Sequence, residues 1–374
     1  ISDVSRLLYL AAQKDATMQV LPTIQTRYSF IQDAFIRHFG LQAEYDMIRD
    51  VVLDDREDAR LQELMDVEPL ESEFDFALID EGQDWQPDQR DLIYKMFGSD
   101  RVVVADGIDQ FVGKDRCVWD GPEVTRKQPV RLNSSLRTKG ATCQIVGEIA
   151  RDLGVKGWDL EPDPEIYGGR LTILVEPHAR SAMHRCLKLV DEDIERSERL
   201  QPSDNLICMP SSKMSGGTNY EWLFDRAIED QNRNSWRGFD PDDRRQYVYD
   251  PSQLKAVRYN SCRGMEGWTA ICLGLDAFFD FQIRNPRIDR EELKKELEEQ
   301  VGLFADSNLE DEFRKRAFEY AVNWIMIPLT RSIDHLVIHI ANEQSRLGGI
   351  LRAVSDRNPD AVEWLYGNSP LKDA

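Results

Sequence analysis

The chain has 374 residues, enough for two domains that each bury their own core, so its stability requires neither disulfides nor structural metals. Apolar residues make up 41% and charged residues 31% of the chain, a balance that excludes intrinsic disorder. The net charge of −21 argues against a protein that coats nucleic acid, and no apolar run approaches the roughly 20 residues of a membrane span.

The first seventy residues predict helices, because apolar side chains recur three to four positions apart. The recurring positions include Tyr28, Ile31, Ala34 and Phe35, and then Leu61, Leu64 and Met65. The period then changes, since residues 74–79 and 101–105 are short apolar runs separated by a helix-like segment at 87–97. This pattern is typical of buried parallel strands joined by a crossover helix.

Strands and helices keep alternating after residue 120. We predict helices at about 139–153, from 176 to about 200, and at 220–229, and strands at 171–175, 205–209, 255–260, 270–275 and 335–340. The last of these is the final predicted strand. A charged helical pair is predicted at 289–301 and 309–327, and its first half is expected to form a solvated face or a partner surface. The alternation predicts an α/β fold around mostly parallel sheets.

Two adjacent carboxylates, Asp80 and Glu81, directly follow the first apolar strand. Reactive groups of parallel α/β sheets gather at the carboxyl ends of the strands. There, Asp80 could hold magnesium and Glu81 could orient or deprotonate an attacking water during nucleotide hydrolysis. The alternative is an acidic helix start, which the helix dipole also favours.

The next strand ends in a second polar segment, residues 104–111, which contains an Asp-Gly turn followed by Gln110 and Phe111. The amide of Gln110 could sense a terminal phosphate, and the ring of Phe111 could stack on an unpaired base. A plain Asp-Gly turn without a function explains the same residues.

These two segments resemble motifs of UvrD/Rep-like superfamily 1 DNA helicases. Residues 79–84 are similar to the family's DEAQD Walker B motif, with Gly82 in place of the usual Ala. Residues 105–111 are similar to its GDxxQxIY motif, with Ala105 in place of Gly and Phe111 in place of Ile.

Three later segments extend the resemblance in the family's order. Residues 132–138 resemble the fourth motif, residues 263–268 resemble KGLEF, and residues 327–331 resemble VAxTRA, with Pro328 unusual within it. Each segment precedes or follows a predicted strand or loop as the family requires. Five segments in the right order are therefore much stronger evidence for the resemblance than any one segment alone.

The resemblance implies two RecA-like (P-loop NTPase-type) domains with mostly parallel sheets, the first one incomplete. Residues 1–125 would be the C-terminal part of the first motor domain with a helical segment. Residues 126–345 would be the second motor domain with a charged helical insertion at about 280–320, and residues 346–374 a C-terminal helical tail.

The resemblance also implies ATP and Mg²⁺ as cofactors and single-stranded DNA, or RNA, as partner. The implied roles are magnesium coordination by Asp80, water activation by Glu81, phosphate-to-DNA coupling by Gln110, γ-phosphate contacts by Arg137 and Arg331, and nucleotide contacts by Gly264 and Glu266. Guanidinium groups suit this chemistry because phosphoryl transfer depends on positioning and charge neutralisation. Ordinary surface or salt-bridging arginines are the alternative.

Three aromatic residues, Phe111, Trp119 and Trp268, are weaker candidates for base stacking, because aromatic residues beside strands more often belong to the core. The six cysteines form neither a CxxC pair nor a cluster with histidine, so we expect reduced thiols in a cytoplasmic protein. The acidic balance also suits a protein partner, and no membrane contact is expected.

A P-loop with the pattern GxxxxGK[ST] is missing from the sequence. Because the chain begins at Ile1 and keeps Asp80 and Glu81, we expect the P-loop upstream and an inactive fragment without it. The runner-up hypothesis is a catalytically degenerate scaffold that binds protein or nucleic acid in a repair or defence complex. A small-molecule α/β enzyme would require a nucleophile or general-base constellation, which the sequence does not reveal.

Overall fold

A computed structural model describes residues 25–50, 56–105, 117–119, 134–155, 158, 160–197, 199–214, 217–240, 243, 250–301 and 305–367. The chain forms two compact units, Ile1–Pro129 and Val130–Ala374, which we call unit 1 and unit 2. Each unit has its own hydrophobic core.

In its described residues, unit 1 combines helices with a pair of parallel strands. The helices are α1 (Arg27–Asp50), α2 (Arg56–Met65) and α3 (Pro87–Phe97), and the strands are β1 (Ala77–Ile79) and β2 (Val102–Val104). Pro87 opens α3, where its fixed φ and missing N–H suit the first turn. Helix α1 bends at Gly40, whose φ of 83° lies outside the helical region. The crossover β1–α3–β2 confirms the expected parallel pairing in this unit.

Unit 2 alternates strands and helices around one large sheet. Its helices are α4 (Gly140–Asp152), α5 (Ala179–Glu195), α6 (Tyr220–Asp230), α7 (Leu275–Arg284), α8 (Arg290–Val301), α9 (Ala305–Leu329) and α10 (Arg346–Arg357). Its strands are β3 (Ser134–Ser135), β4 (Glu161–Pro162), β5 (Arg170–Val175), β6 (Leu206–Met209), β7 (Ser235–Arg237), β8 (Leu254–Arg258), β9 (Gly267–Cys272), β10 (Ser332–Ile340) and β11 (Val362–Tyr366).

The large sheet has seven strands in the order β11-β5-β10-β9-β6-β8-β7, and every neighbouring pair is parallel. The central strands are apolar on both faces, because helices cover both sides of such a sheet. The fold is therefore α/β with a parallel sheet, as the alternating pattern predicted.

Two predictions about the end of unit 2 are wrong. The strand at residues 332–340 is not the last, because β11 pairs with β5 and extends the sheet at its edge. The region predicted as a helical tail, residues 346–374, contains α10 and then this strand. Strand β7 at the opposite edge was also missed, because a three-residue strand carries no detectable alternation.

The charged segment before β10 forms α8 and the long α9, whose Pro328 lies one residue before the end of the helix. All six cysteines are buried free thiols. None of the helices in the described ranges has the length and apolar character required to cross a membrane.

Candidate functional site

In unit 2, several sequence-predicted residues lie at the amino ends of β9 and β10. The register pairs Ser332 of β10 with Gly267 of β9, and the Gly267 N–H donates a hydrogen bond of 3.0 Å to the Arg331 carbonyl. Glu266 and Arg331 immediately precede these two paired residues. The sheet therefore brings side chains 65 positions apart in sequence onto adjacent strand starts.

The Arg331 guanidinium is almost fully buried, with 3% of the residue exposed. Its Nε donates to the Ile327 carbonyl at 2.9 Å, and its Nη2 donates to Thr330 Oγ1 at 2.7 Å. Burial lowers the pKa of Arg331, but an arginine remains charged in proteins. Within the described ranges, no carboxylate forms an ion pair with this buried charge.

Arg137 reaches the same edge of the sheet. Its Nη1 forms an ion pair with Glu266 Oε1, and half of its side chain is exposed. The neighbouring Lys139 N–H donates to the Ile333 carbonyl at 2.7 Å, which fixes this loop against the start of β10. The positive charge of Arg137 also contributes to the lowered pKa of Arg331, whereas the negative charge of Glu266 opposes this lowering.

Two further sequence-predicted residues lie close to the start of β9, Gly264 in the preceding turn and Trp268 within the strand. Gly264 has a φ of 70°, a left-handed conformation that favours glycine. Trp268 is half-buried, and the Lys139 ammonium group lies 5.6 Å from the centre of its ring. The Lys255 ammonium group donates to the Glu266 carbonyl at 3.1 Å, which adds another positive charge at this edge. The amino ends of β8, β9 and β10 thus concentrate basic groups in an otherwise acidic protein.

In unit 1, Asp80 and Glu81 directly follow β1, as the sequence predicted. Asp80 is exposed, and its Oδ1 accepts a hydrogen bond of 3.1 Å from the Glu81 N–H. Glu81 adopts a left-handed backbone conformation with φ 51° and ψ 48°, which is uncommon for a residue with a side chain. Such strain persists only where the surroundings enforce it, and it is frequent at functional sites.

Glycine at position 82, where the resembling family has alanine, follows from the packing around it. A Cβ there would lie 2.4 Å from Val104 Cγ1 and 3.0 Å from Trp119 Nε1. The Trp119 indole also donates a hydrogen bond of 2.8 Å to the Gly82 carbonyl. A larger residue would displace these groups, so the departure from the family pattern has a steric cause.

The base-stacking role predicted for Trp119 is wrong. Only 8% of the residue is exposed, and its ring packs edge-on against Trp85 and Tyr94 with centroid distances of 5.8 and 5.6 Å. A ring enclosed in this way has no free face for a base. Gln110 and Phe111, by contrast, lie outside the described residues, so their roles remain predictions.

The exposed carboxylate of Asp80 is chemically suited to bind magnesium, because this ion prefers carboxylate oxygens as ligands. Within the described ranges, no three His, Cys, Asp or Glu side chains are grouped to hold a metal ion. Magnesium bound with a nucleotide needs only one or two protein carboxylates, since phosphates and waters complete its shell.

Comparisons with known proteins found only a distant structural similarity. No family model matches the sequence, and no curated protein matches it. Among solved structures, it is similar to the C-terminal domain of a possible DNA helicase from Lactobacillus plantarum WCFS1, with 10% sequence identity and a TM-score of 0.33. The match covers 63% of this chain and 100% of that domain. A TM-score this low does not establish a common fold, so no property of that domain is transferred to this chain.

The sequence did not reveal one buried polar network in unit 2. Thr172 Oγ1 lies 2.8 Å from His335 Nε2, and His335 Nδ1 lies 2.5 Å from Asp193 Oδ2, which also accepts a hydrogen bond from Thr269. The order hydroxyl, imidazole, carboxylate is that of a nucleophilic triad. However, all of these side chains are buried, so no substrate reaches them and the network joins β5, β9, β10 and α5. The residues are too far apart in sequence to form a motif.

Proposed function

We propose that this protein is an ATP-dependent motor of the superfamily 1 helicase type that moves on or remodels single-stranded DNA. The observation that carries the proposal is the buried Arg331 guanidinium, which forms no ion pair with a carboxylate among the described residues and feels the Glu266 carboxylate only at longer range. A buried charge without a partner is unfavourable unless an anion compensates it during function. A nucleotide phosphate is an anion of suitable geometry for a guanidinium group.

The pair Arg137–Glu266 supports the same function. Arg137 is half-exposed, so its guanidinium can exchange the Glu266 carboxylate for a phosphate oxygen without first leaving the protein interior. Glu266 is then free to accept a hydrogen bond from a nucleotide hydroxyl. Together, Arg137 and Arg331 would neutralise the negative charge on the transferring phosphoryl group, which is the main demand of this reaction.

We propose separate roles for the two carboxylates of unit 1. Asp80 would hold the magnesium ion that accompanies ATP, and this ion would neutralise phosphate charge. Glu81 would accept a hydrogen bond from the attacking water and take its proton as the new bond to the γ-phosphorus forms and the bond from that phosphorus to the ADP oxygen breaks. Gln110 and Trp268 would link the nucleotide to the single strand. The local concentration of basic groups near β9 allows anion binding despite the net charge of −21.

The test is made in the intact protein. Glu81→Gln keeps the size of the side chain but removes the base, so DNA-stimulated ATP hydrolysis should be abolished while ATP binding is retained. A fluorescent ATP analogue measures binding, and phosphate release measures hydrolysis. Glu57→Gln, a carboxylate on α2 that pairs with Arg27, is the matched control and should hydrolyse ATP normally. Unchanged hydrolysis by Glu81→Gln would remove this residue from the reaction.

A non-catalytic scaffold is the second candidate, and the surface of α1 favours it. Leu41, Tyr45 and Ile48 are exposed at helical spacing, with 61%, 66% and 37% of each residue accessible. Such an apolar stripe suits a protein partner. An upstream sequence without a strand followed by GxxxxGK[ST] would favour the scaffold over the motor.

A further inference from the structure

The side chain of Gln83 contacts the carboxylate of Glu81. Gln83 is completely buried, and its Nε2 donates a hydrogen bond of 2.5 Å to Glu81 Oε2. Because Gln83 is shielded from water, a water molecule could not replace the hydrogen bond to Glu81 if it were lost. The bond therefore favours one orientation of the Glu81 carboxylate.

The backbone of Glu81 depends on its neighbours in the same way. Its left-handed conformation is held by the Gly82 N–H, which donates to the Ala105 carbonyl at 2.9 Å. On the preceding side, the Glu81 N–H donates to Asp80 Oδ1 at 3.1 Å. The side-chain bond from Gln83 thus completes a set of contacts that fix both the backbone and the carboxylate of Glu81.

The turn that carries Gln83 is itself fixed by a later part of unit 1. The Cys117 N–H donates to the Gln83 carbonyl at 3.3 Å, and the Trp119 indole donates to the Gly82 carbonyl at 2.8 Å. Cys117 and Trp119 are both buried. Val104 closes the remaining side, because it lies in contact distance of Gly82. These contacts hold the backbone that carries the Gln83 side chain in place.

We propose that Gln83 is a positioning residue that aims the Glu81 carboxylate at the attacking water, an inference that rests on the proposed hydrolase function. The bond from Gln83 occupies Oε2. Among the described residues, no hydrogen bond engages Oε1, which is therefore available to the water. A carboxylate that acts on water must be held in place, since a small misplacement of a reacting group costs a large part of the rate.

The test is Gln83→Met in the intact protein, because methionine has a similar length but no N–H donor. We expect kcat for ATP hydrolysis to fall by about 10- to 100-fold. The KM for ATP should stay within about threefold, since Gln83 does not contact the nucleotide in this proposal. In a Glu81→Asp background, which keeps a base but withdraws the carboxylate from the Gln83 amide, Gln83→Met should cause no further loss of the remaining rate, because Gln83 acts only through Glu81.

A kcat for Gln83→Met within about threefold of the wild-type value would overturn the positioning role, as would equal losses in both backgrounds. If the methionine variant does not fold, Gln83→Asn replaces it, because asparagine keeps the amide but is one methylene too short to reach Glu81. Wild-type kcat in that variant also overturns the role. Absent hydrolysis overturns the proposed function as well, whereas hydrolysis that survives Glu81→Gln removes Glu81 from the reaction and with it the positioning role of Gln83. Glu81-dependent hydrolysis that is insensitive to Gln83 overturns only the present inference.

Discussion

Two buried arginines, one in each unit, differ in how their charge is balanced. Arg60 in unit 1 is 1% exposed and forms a two-point ion pair with Glu44, while its guanidinium lies 5.4 Å from the ring of Tyr28. Arg331 in unit 2 is 3% exposed and donates only to a carbonyl and a hydroxyl group among the described residues. A compensated charge of the first kind joins helices, whereas an uncompensated one is suited to bind an anion from outside.

The largest expected effect is on catalysis. Arg331→Ala in the intact protein should lower ATP hydrolysis by about 10³-fold or more, because an arginine that neutralises the transferring phosphoryl group contributes that much. Steady-state phosphate release measures the change. Arg233→Ala, which removes an arginine that pairs with Asp191 elsewhere in unit 2, should leave the rate near the wild-type value. A loss below about tenfold for Arg331→Ala would reject its role in the reaction.

The next effect is on stability. Glu44→Ala should lower the free energy of unfolding by about 3–5 kcal/mol, because it leaves the buried Arg60 without its counter-charge. Urea denaturation followed by circular dichroism measures the change. The control is Glu73→Ala, which breaks the solvent-exposed pair with Arg37 and should cost less than about 1 kcal/mol. Equal losses in the two variants would mean that burial does not distinguish these pairs.

Two buried histidines of unit 2 extend the comparison to the pH dependence of stability. Burial lowers the pKa of both His335 and His339, so the folded protein keeps these imidazoles neutral while the unfolded chain takes up protons below about pH 6.5. The free energy of unfolding should therefore fall as the pH decreases from 7 to 5.5. Each histidine contributes at most about 1.4 kcal/mol per pH unit. His335→Gln should remove about half of this slope, and an unchanged slope would contradict the assignment.

The smallest expected effect is a change in the stability of an Arg331 variant. Arg331→Met removes the uncompensated charge but keeps an unbranched side chain, so the free energy of unfolding should be unchanged or higher by about 1 kcal/mol. Urea denaturation of the wild type and the variant provides the measurement. A decrease of more than about 1 kcal/mol would show that Arg331, like Arg60, serves mainly to hold the structure together.

The sequence predicted the elements whose pattern is local. Helix α3 begins and ends where its proline and its apolar spacing indicated, and the central strands of unit 2 are the continuous apolar runs. Position 80–81 after β1 and position 331 before β10 were also predicted correctly as strand ends. Edge strands β7 and β11 were not, because short half-exposed strands have no pattern that differs from a loop.

What the sequence determined by itself is the alternation of apolar strands and amphipathic helices, together with the order of the polar segments that end or begin those strands. Which of these segments come into contact depends on the tertiary structure. Packing brought Arg137 to Glu266 and Asp193 to His335, enclosed Trp119 in the core, and left Arg331 buried without an ion pair to a carboxylate among the described residues. The physical reason is that periodicity reflects contacts within one element. Burial and charge compensation depend on residues that are distant in sequence and become neighbours only when the sheet forms.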